Sequence, residues 1–177
     1  MKIVDGIIIE CVKGNIVVQK DITAIVNAAN ARLMPGGGVA GAIHRAAGPR
    51  LAEECHPLAP IKPGETVITH GHNLPNAYVI HCLGPVFGVD KPEDKILADC
   101  YRNALRLAEE HKIDSIGFPA ISTGAFGYPM EDAAEIAFRT ITGMISELHH
   151  VKKIRFILYS NNDLRIHKKV LARILDE

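Results

Sequence analysis

The sequence predicts an α/β domain, built on a mostly parallel sheet of six strands with helices on both faces. Two observations carry this expectation. Short runs rich in β-branched residues alternate with longer segments of helical period, the pattern of a largely buried sheet. Two of those runs are followed by glycine-rich loops that lead into helices, the kind of connection at which open α/β sheets hold their ligands. With 177 residues the chain is long enough for a sizeable core and is read as one domain, 1–177.

The strands are placed at Gly6–Val12 (GIIIECV), Thr23–Asn27 (TAIVN), Thr66–His70 (TVITH), Tyr78–Cys82 (YVIHC), Ser115–Phe118 (SIGF) and Ile154–Tyr159 (IRFILY). Two short helices follow the second strand, Val39–Ala47 and Pro49–Cys55. A longer one, Glu93–Glu110, sets Ile96, Cys100, Ala104 and Leu107 along one stripe. Glu131–Leu148 does the same with Ala134, Ala137, Ile141, Ile145 and Leu148. The last helix spans 162–175 and stacks Val170, Leu171, Ile174 and Leu175. Pro60, Pro63 and Gly64 mark one loop, and Pro85, Gly88 and Pro92 another.

Composition narrows the function. Hydrophobic residues make up 47% and charged residues 23%, ordinary values for a globular domain. The 20 Lys and Arg balance 20 Asp and Glu, so no global basic field gathers nucleic acid, and a nucleic-acid partner is not favoured. The opening MKIVDGIIIECVKGN is interrupted by Asp5 and Glu10 and is too short for a signal peptide, and no run approaches a membrane span. A cytoplasmic protein with no membrane partner is expected. Cys11, Cys55, Cys82 and Cys100 show no CxxC pairing and are read as buried small apolar residues.

The two loops carry the chemistry. After the second strand comes NAANARLMPGGGV, where three consecutive glycines imply a backbone that bends tightly or approaches something closely. After the fifth comes ISTGAFGYPM, where Ser122, Thr123, Gly124 and Gly127 precede a helix whose first residue is expected at Pro129. Backbone N–H groups and hydroxyls at a helix start suit a phosphate, and two such loops on one sheet edge suit a diphosphate. Neither GxxxxGK[ST] nor GxGxxG with its distant acid is present, which disfavours a nucleoside triphosphate enzyme and a dinucleotide dehydrogenase.

NAANARLMPGGGVAGAIHRAAGP resembles the first signature of the macro domain family, ISTGAFGYP its second, and YVIHCLGP the strand between them. The similarity runs from about Val12 to Leu175. It implies a three-layer α/β/α sandwich with a mixed, mostly parallel central sheet of about six strands, and ADP-ribose or an ADP-ribosylated protein as partner, with no cofactor or metal. It also implies contacts residue by residue. Asn15 stands where the family carries an aspartate that meets the adenine amine, and Ile16 follows it. Asn30 matches the residue on the distal ribose, and Gly36, Gly37, Gly38 and Val39 the loop against the diphosphate. Ser122, Thr123, Gly124, Ala125 and Gly127 match the loop wrapping the phosphates, and Phe126 the ring beside the distal ribose. Asn161 is placed at the adenosine end, with Tyr159 or Leu164 to pack the base; Asn27 is expected to tie its own loop.

The resemblance implies binding of ADP-ribose and hydrolysis of ADP-ribosyl esters, as a mono-ADP-ribosyl-protein hydrolase or an O-acetyl-ADP-ribose deacetylase, with plain binding as the alternative. One hydrolytic subgroup follows the glycines with an aspartate, whereas this chain has Gly37, Gly38, Val39 and Ala40, and alanine neither takes a proton nor orients water. Catalysis is then expected to be substrate-assisted: a phosphate oxygen orients water, while Asn30 and Phe126, the catalytic candidates, fix the ribose. The alternatives are a non-catalytic module for ADP-ribose, poly-ADP-ribose or RNA ends, with Arg32, Arg45 and Arg50 nearby, and an ADP-ribose 1″-phosphate phosphatase. His44, one turn beyond Ala40, is read as structural. His70, His72 and His81 form a weaker candidate metal trio that lacks a carboxylate.

Overall fold

The computed structural model describes all residues, Met1–Glu177. It has seven strands: β1 Lys2–Val4, β2 Ile7–Lys13, β3 Ala24–Ala28, β4 Thr66–His70, β5 Tyr78–Cys82, β6 Ser115–Phe118 and β7 Lys153–Leu158. Five helices join them: α1 Gly38–Ala47, α2 Pro49–Cys55, α3 Glu93–Glu110, α4 Met130–Met144 and α5 Asn161–Leu175. The sheet runs β1-β2-β7-β6-β3-β5-β4. Its five inner strands are parallel, and only the edge pairs β1–β2 and β4–β5 are antiparallel, so it is mixed but mostly parallel.

Three expectations shift. The sheet has a seventh strand, β1, whose three residues are exposed or half-buried and therefore carry no apolar run to read. The α3 stripe rotates by one position: Leu97, Tyr101, Leu105 and Ala108 join Cys100 and Ala104 in the core, while Ile96 and Leu107 are only half-buried. The fourth helix ends at Met144 in a 3-10 turn, Ile145–Glu147, and starts at Met130, with Pro129 as its cap.

Strand periodicity sorts the two faces. Ala24, Val26, Ile80, Cys82, Ile116, Phe118, Ile154 and Phe156 face α3, α4 and α5 in the larger core, where Phe118, Phe138, Phe156 and Tyr101 stack with centroids 4.8–6.0 Å apart. Ile25, Val79 and Ile157 face α1 and α2, with Ile43, Leu51 and Cys55, in the smaller one. Polar residues complete that second face: Arg155 on β7 donates to Glu10 on β2 at 2.8 Å and to both carboxylate oxygens of Asp21 at 2.7 and 2.6 Å. The Arg155 guanidinium holds the Asp21 carboxyl well below the usual carboxylate range. All four cysteines are free and buried. No helix is long and apolar enough to cross a membrane.

Candidate functional site

Because β2, β7, β6 and β3 are parallel neighbours, the segments following them emerge along one edge of the sheet. Three strand spacings separate β2 from β3, roughly 14 Å. That edge carries Asn15 after β2, Asn161 after β7, the ISTGAFG loop after β6 and the glycine loop after β3. Two amides thus lie toward one end and two glycine loops toward the other.

The first loop is tied by Asn30. Its Nδ2 donates to the Met34 carbonyl at 2.8 Å and its Oδ1 accepts from the Met34 N–H at 3.0 Å. The loop then folds back onto α1: the Gly36 carbonyl lies directly over Gly41, where a Cβ would collide with it. Helix α1 has no side-chain cap, so the N–H groups of Gly38, Val39 and Ala40 lack helical partners, and those of Gly36 and Gly37 have no backbone partner either. These five donors, at a positive helix end, suit an anion.

The second loop turns its hydroxyls inward, contrary to expectation. Thr123 Oγ1 donates to the Ala120 carbonyl at 2.7 Å. Ser122 adopts φ 67°, which buries its Oγ against Gly84 without a partner. What the loop offers outward is backbone: the N–H groups of Gly124, Ala125 and Phe126 have no intrachain partner, whereas Gly127 N–H is held by the Gly124 carbonyl at 3.0 Å. The Phe126 ring is half-buried against the smaller core, and its carbonyl accepts from Phe87 N–H at 2.9 Å.

At the other end, Asn15 Oδ1 accepts from Val17 N–H at 3.1 Å and opens a short 3-10 turn, leaving its Nδ2 without a partner; Ile16 beside it is buried. Asn161 is the first residue of α5 and is not its cap, because Ser160 takes that position and accepts from Asp163 N–H at 3.1 Å. Tyr159 is 92% exposed, whereas Leu164 is half-buried against the larger core.

Sequence reasoning missed a buried polar chain behind the glycine loop. Asn27 does not tie its loop; it sits in β3 opposite His81 of β5, and its Nδ2 donates to His81 Nδ1 at 3.0 Å. His81 Nε2 then donates to Thr69 Oγ1 at 2.9 Å, and Cys55 Sγ lies 3.8 Å away. This is a Cys–His–Asn grouping with no nucleophile in it, since burial pushes the Cys55 thiol up to about 11 and closes it to solvent. Burial, reinforced by His44 nearby, takes His81 down to about 3. His44 is buried too, and burial lowers its pKa, yet neither ring nitrogen has a partner. It lines a hollow of about 230 Å³ with Pro35, Gly36, Gly41 and Arg45.

The proposed metal trio does not assemble. His70 Nδ1 and His72 Nε2 both meet Glu54 of α2, at 3.2 and 2.8 Å, and His81 is buried elsewhere. Glu54 could not be paired with them from sequence, because it lies on α2, 16 residues before His70 at the end of β4. No three His, Cys, Asp or Glu side chains are arranged to hold a metal ion. Arg32, Arg45 and Arg50 are exposed.

The model of the Macro domain family matches residues 26–137. The chain is 47% identical over 169 residues to a macro domain-containing protein of Chlorobaculum tepidum, covering 95% of this chain and 98% of that protein. It is 45% identical over 157 residues to the O-acetyl-ADP-ribose deacetylase of Klebsiella pneumoniae, 86% of this chain and 90% of the relative. Among solved structures, the Oceanobacillus iheyensis macrodomain with ADP superposes with a TM-score of 0.89 at 39% identity, over 94% of this chain and 90% of the other.

Proposed function

This chain belongs to the macro domain family, and from that premise we propose that its parallel-strand edge binds ADP-ribose and that the protein hydrolyses acyl esters of ADP-ribose. The observation that carries the reading is the pair of loops after the neighbouring strands β3 and β6, each presenting unpaired backbone N–H groups to the same edge. A diphosphate fits between them: its charge meets donors and a helix end without needing a lysine or a metal. The adenosine then extends toward Asn15, Ile16 and Asn161, and the distal ribose toward Asn30, Val39 and Phe126. Roughly 14 Å between the ends suits such an elongated ligand. Similarity to a protein named for O-acetyl-ADP-ribose deacetylation and to a macrodomain with ADP supports the substrate class.

Turnover follows from positioning. Neither loop contains a carboxylate, and Ala40 is a buried methyl group. Water is oriented by a substrate phosphate oxygen, while Asn30 and Phe126 hold the ribose still, a contribution that fixed geometry alone makes large. Asn30 is braced for this by its two bonds to Met34. Incubation with O-acetyl-ADP-ribose and with mono-ADP-ribosylated glutamate tests the reading: released acetate or ADP-ribose supports it.

Ala40 favours one second reading, a binding module without turnover. That reading is correct if ADP-ribose binds while both esters survive for hours. Free phosphate released from ADP-ribose 1″-phosphate would instead mark a phosphatase.

A further inference from the structure

The adenosine end of the proposed site includes the turn after β2, and the hydrogen bonds of that turn run in a fixed direction. Asn15 Oδ1 accepts from Val17 N–H at 3.1 Å. A backbone N–H meets only an acceptor, so the oxygen of this amide faces the turn and its NH2 faces away. The Asn15 carbonyl is occupied as well: it accepts from Gln19 Nε2 at 2.8 Å and from Val18 N–H at 3.3 Å. Gln19 is held in that sense by Arg155, whose guanidinium carries donors only. Arg155 Nη1 donates to Gln19 Oε1 at 2.9 Å, which leaves the Gln19 NH2 for Asn15. Arg155 is itself anchored on Glu10 and Asp21. The side-chain group left free at Asn15 is therefore Nδ2, a donor.

Purines differ in what they offer such a donor. Adenine presents an exocyclic amine, itself a donor, beside the acceptor N7, whereas a 6-oxopurine presents two acceptors, O6 and N7. An amide with both ends free reads adenine by accepting from the amine and donating to N7. Asn15 lacks the accepting half, because Val17 holds Oδ1. Its Nδ2 meets the oxygen of a 6-oxopurine as a hydrogen bond, and the amine of adenine as donor against donor. Asn161, exposed on the first turn of α5, can turn either end of its amide to the base, so the difference rests on Asn15.

We propose that this site takes the diphosphate ribose of a 6-oxopurine more tightly than ADP-ribose, with Asn15 as the residue that sets the preference. The proposal rests on the reading of the edge as an ADP-ribose site and deepens it. The loops after β3 and β6 hold the diphosphate whichever base is attached, and the turn after β2 grades the bases. Asn15 is exposed, so this one contact grades them modestly and ADP-ribose remains a ligand.

The test is calorimetry of the full chain with ADP-ribose, its hypoxanthine analogue IDP-ribose and its guanine analogue GDP-ribose, repeated on Asn15→Asp. An aspartate keeps one oxygen for Val17 N–H and turns a second oxygen outward, so the turn survives while its outer polarity reverses. The wild type should bind IDP-ribose more tightly than ADP-ribose by about threefold or more, and the variant should favour ADP-ribose, moving the ratio by roughly tenfold at unchanged urea midpoint. Asn15→Ser, which keeps an oxygen for Val17 and removes Nδ2, should bring the ratio close to one. GDP-ribose as tight as IDP-ribose assigns either oxopurine as ligand; weaker GDP-ribose assigns hypoxanthine, the extra amine of guanine being refused. ADP-ribose equal to or tighter than IDP-ribose in the wild type, or one ratio shared by all three proteins, overturns the preference and leaves the edge intact. No heat from any of the three nucleotides overturns the preference together with the reading it rests on.

Discussion

His81 and His44 are the same residue type and both buried, one on β5 and the other on α1, and what separates them is their partners. His81 has a donor on one nitrogen and an acceptor on the other, Asn27 and Thr69, and it joins β3, β4 and β5. His44 has neither. A buried imidazole with a closed set of partners is part of the fold, whereas one without partners beside a hollow is free to serve something that arrives. Burial alone does not separate structure from function; the hydrogen-bond partners do.

The contrast breaks first at His81. His81→Leu leaves Asn27 and Thr69 unpaired inside the smaller core, and we expect a loss of roughly 3–5 kcal/mol in urea unfolding. A loss under about 1 kcal/mol would put His81 on a par with His44.

Acid is the next largest lever. The folded pKa of His81, about 3, lies below its unfolded value of 6.5, so the unfolded state binds more protons between them. Stability from this group is therefore complete above 6.5 and drains away as the pH falls toward 3, by roughly 5 kcal/mol in all. His81→Gln should flatten that slope in urea midpoints measured against pH.

Gly41→Ala forces the Gly36 carbonyl off α1, and a cost of roughly 1–3 kcal/mol is expected together with weaker ADP-ribose binding. Ala40→Asp places a carboxylate one turn from His44 and should raise ester turnover about tenfold, near 1.4 kcal/mol of barrier. An unchanged rate would show that chemistry does not pass through this side of the loop.

The smallest effect should come from His44→Leu. With no native hydrogen bond to lose, its cost in urea unfolding is expected below about 1 kcal/mol. A loss comparable to that of His81→Leu would mean that His44 is structural after all.

Much of the fold could be read from the chain, for identifiable reasons. β4, β5 and β6 are bounded by turn residues and filled with β-branched or apolar ones, so their limits match those expected from sequence. β1 is three residues of an exposed edge, and no pattern marks it. The two loops were recognisable from their glycines, but which atoms they present was not. Ser122 turns its hydroxyl inward because of a left-handed φ, and Asn30 rather than Asn27 closes the first loop. The polar chain was invisible for a simpler reason: Asn27 and His81 are 54 residues apart, and Cys55 and His81 are 26 apart. Only the parallel pairing of β3 with β5 brings the first two together.

The central claim is that the two loops on the β3–β6 edge hold the diphosphate of ADP-ribose, and calorimetry of the wild-type chain against its Gly37→Glu variant tests it most directly. Gly37 has open space around its Cβ position, so the variant should fold normally and set a carboxylate among the free N–H groups. The account predicts one saturable site whose affinity falls at least tenfold in the variant at unchanged urea midpoint. No detectable heat from the wild type, or equal affinity in both proteins, would contradict it.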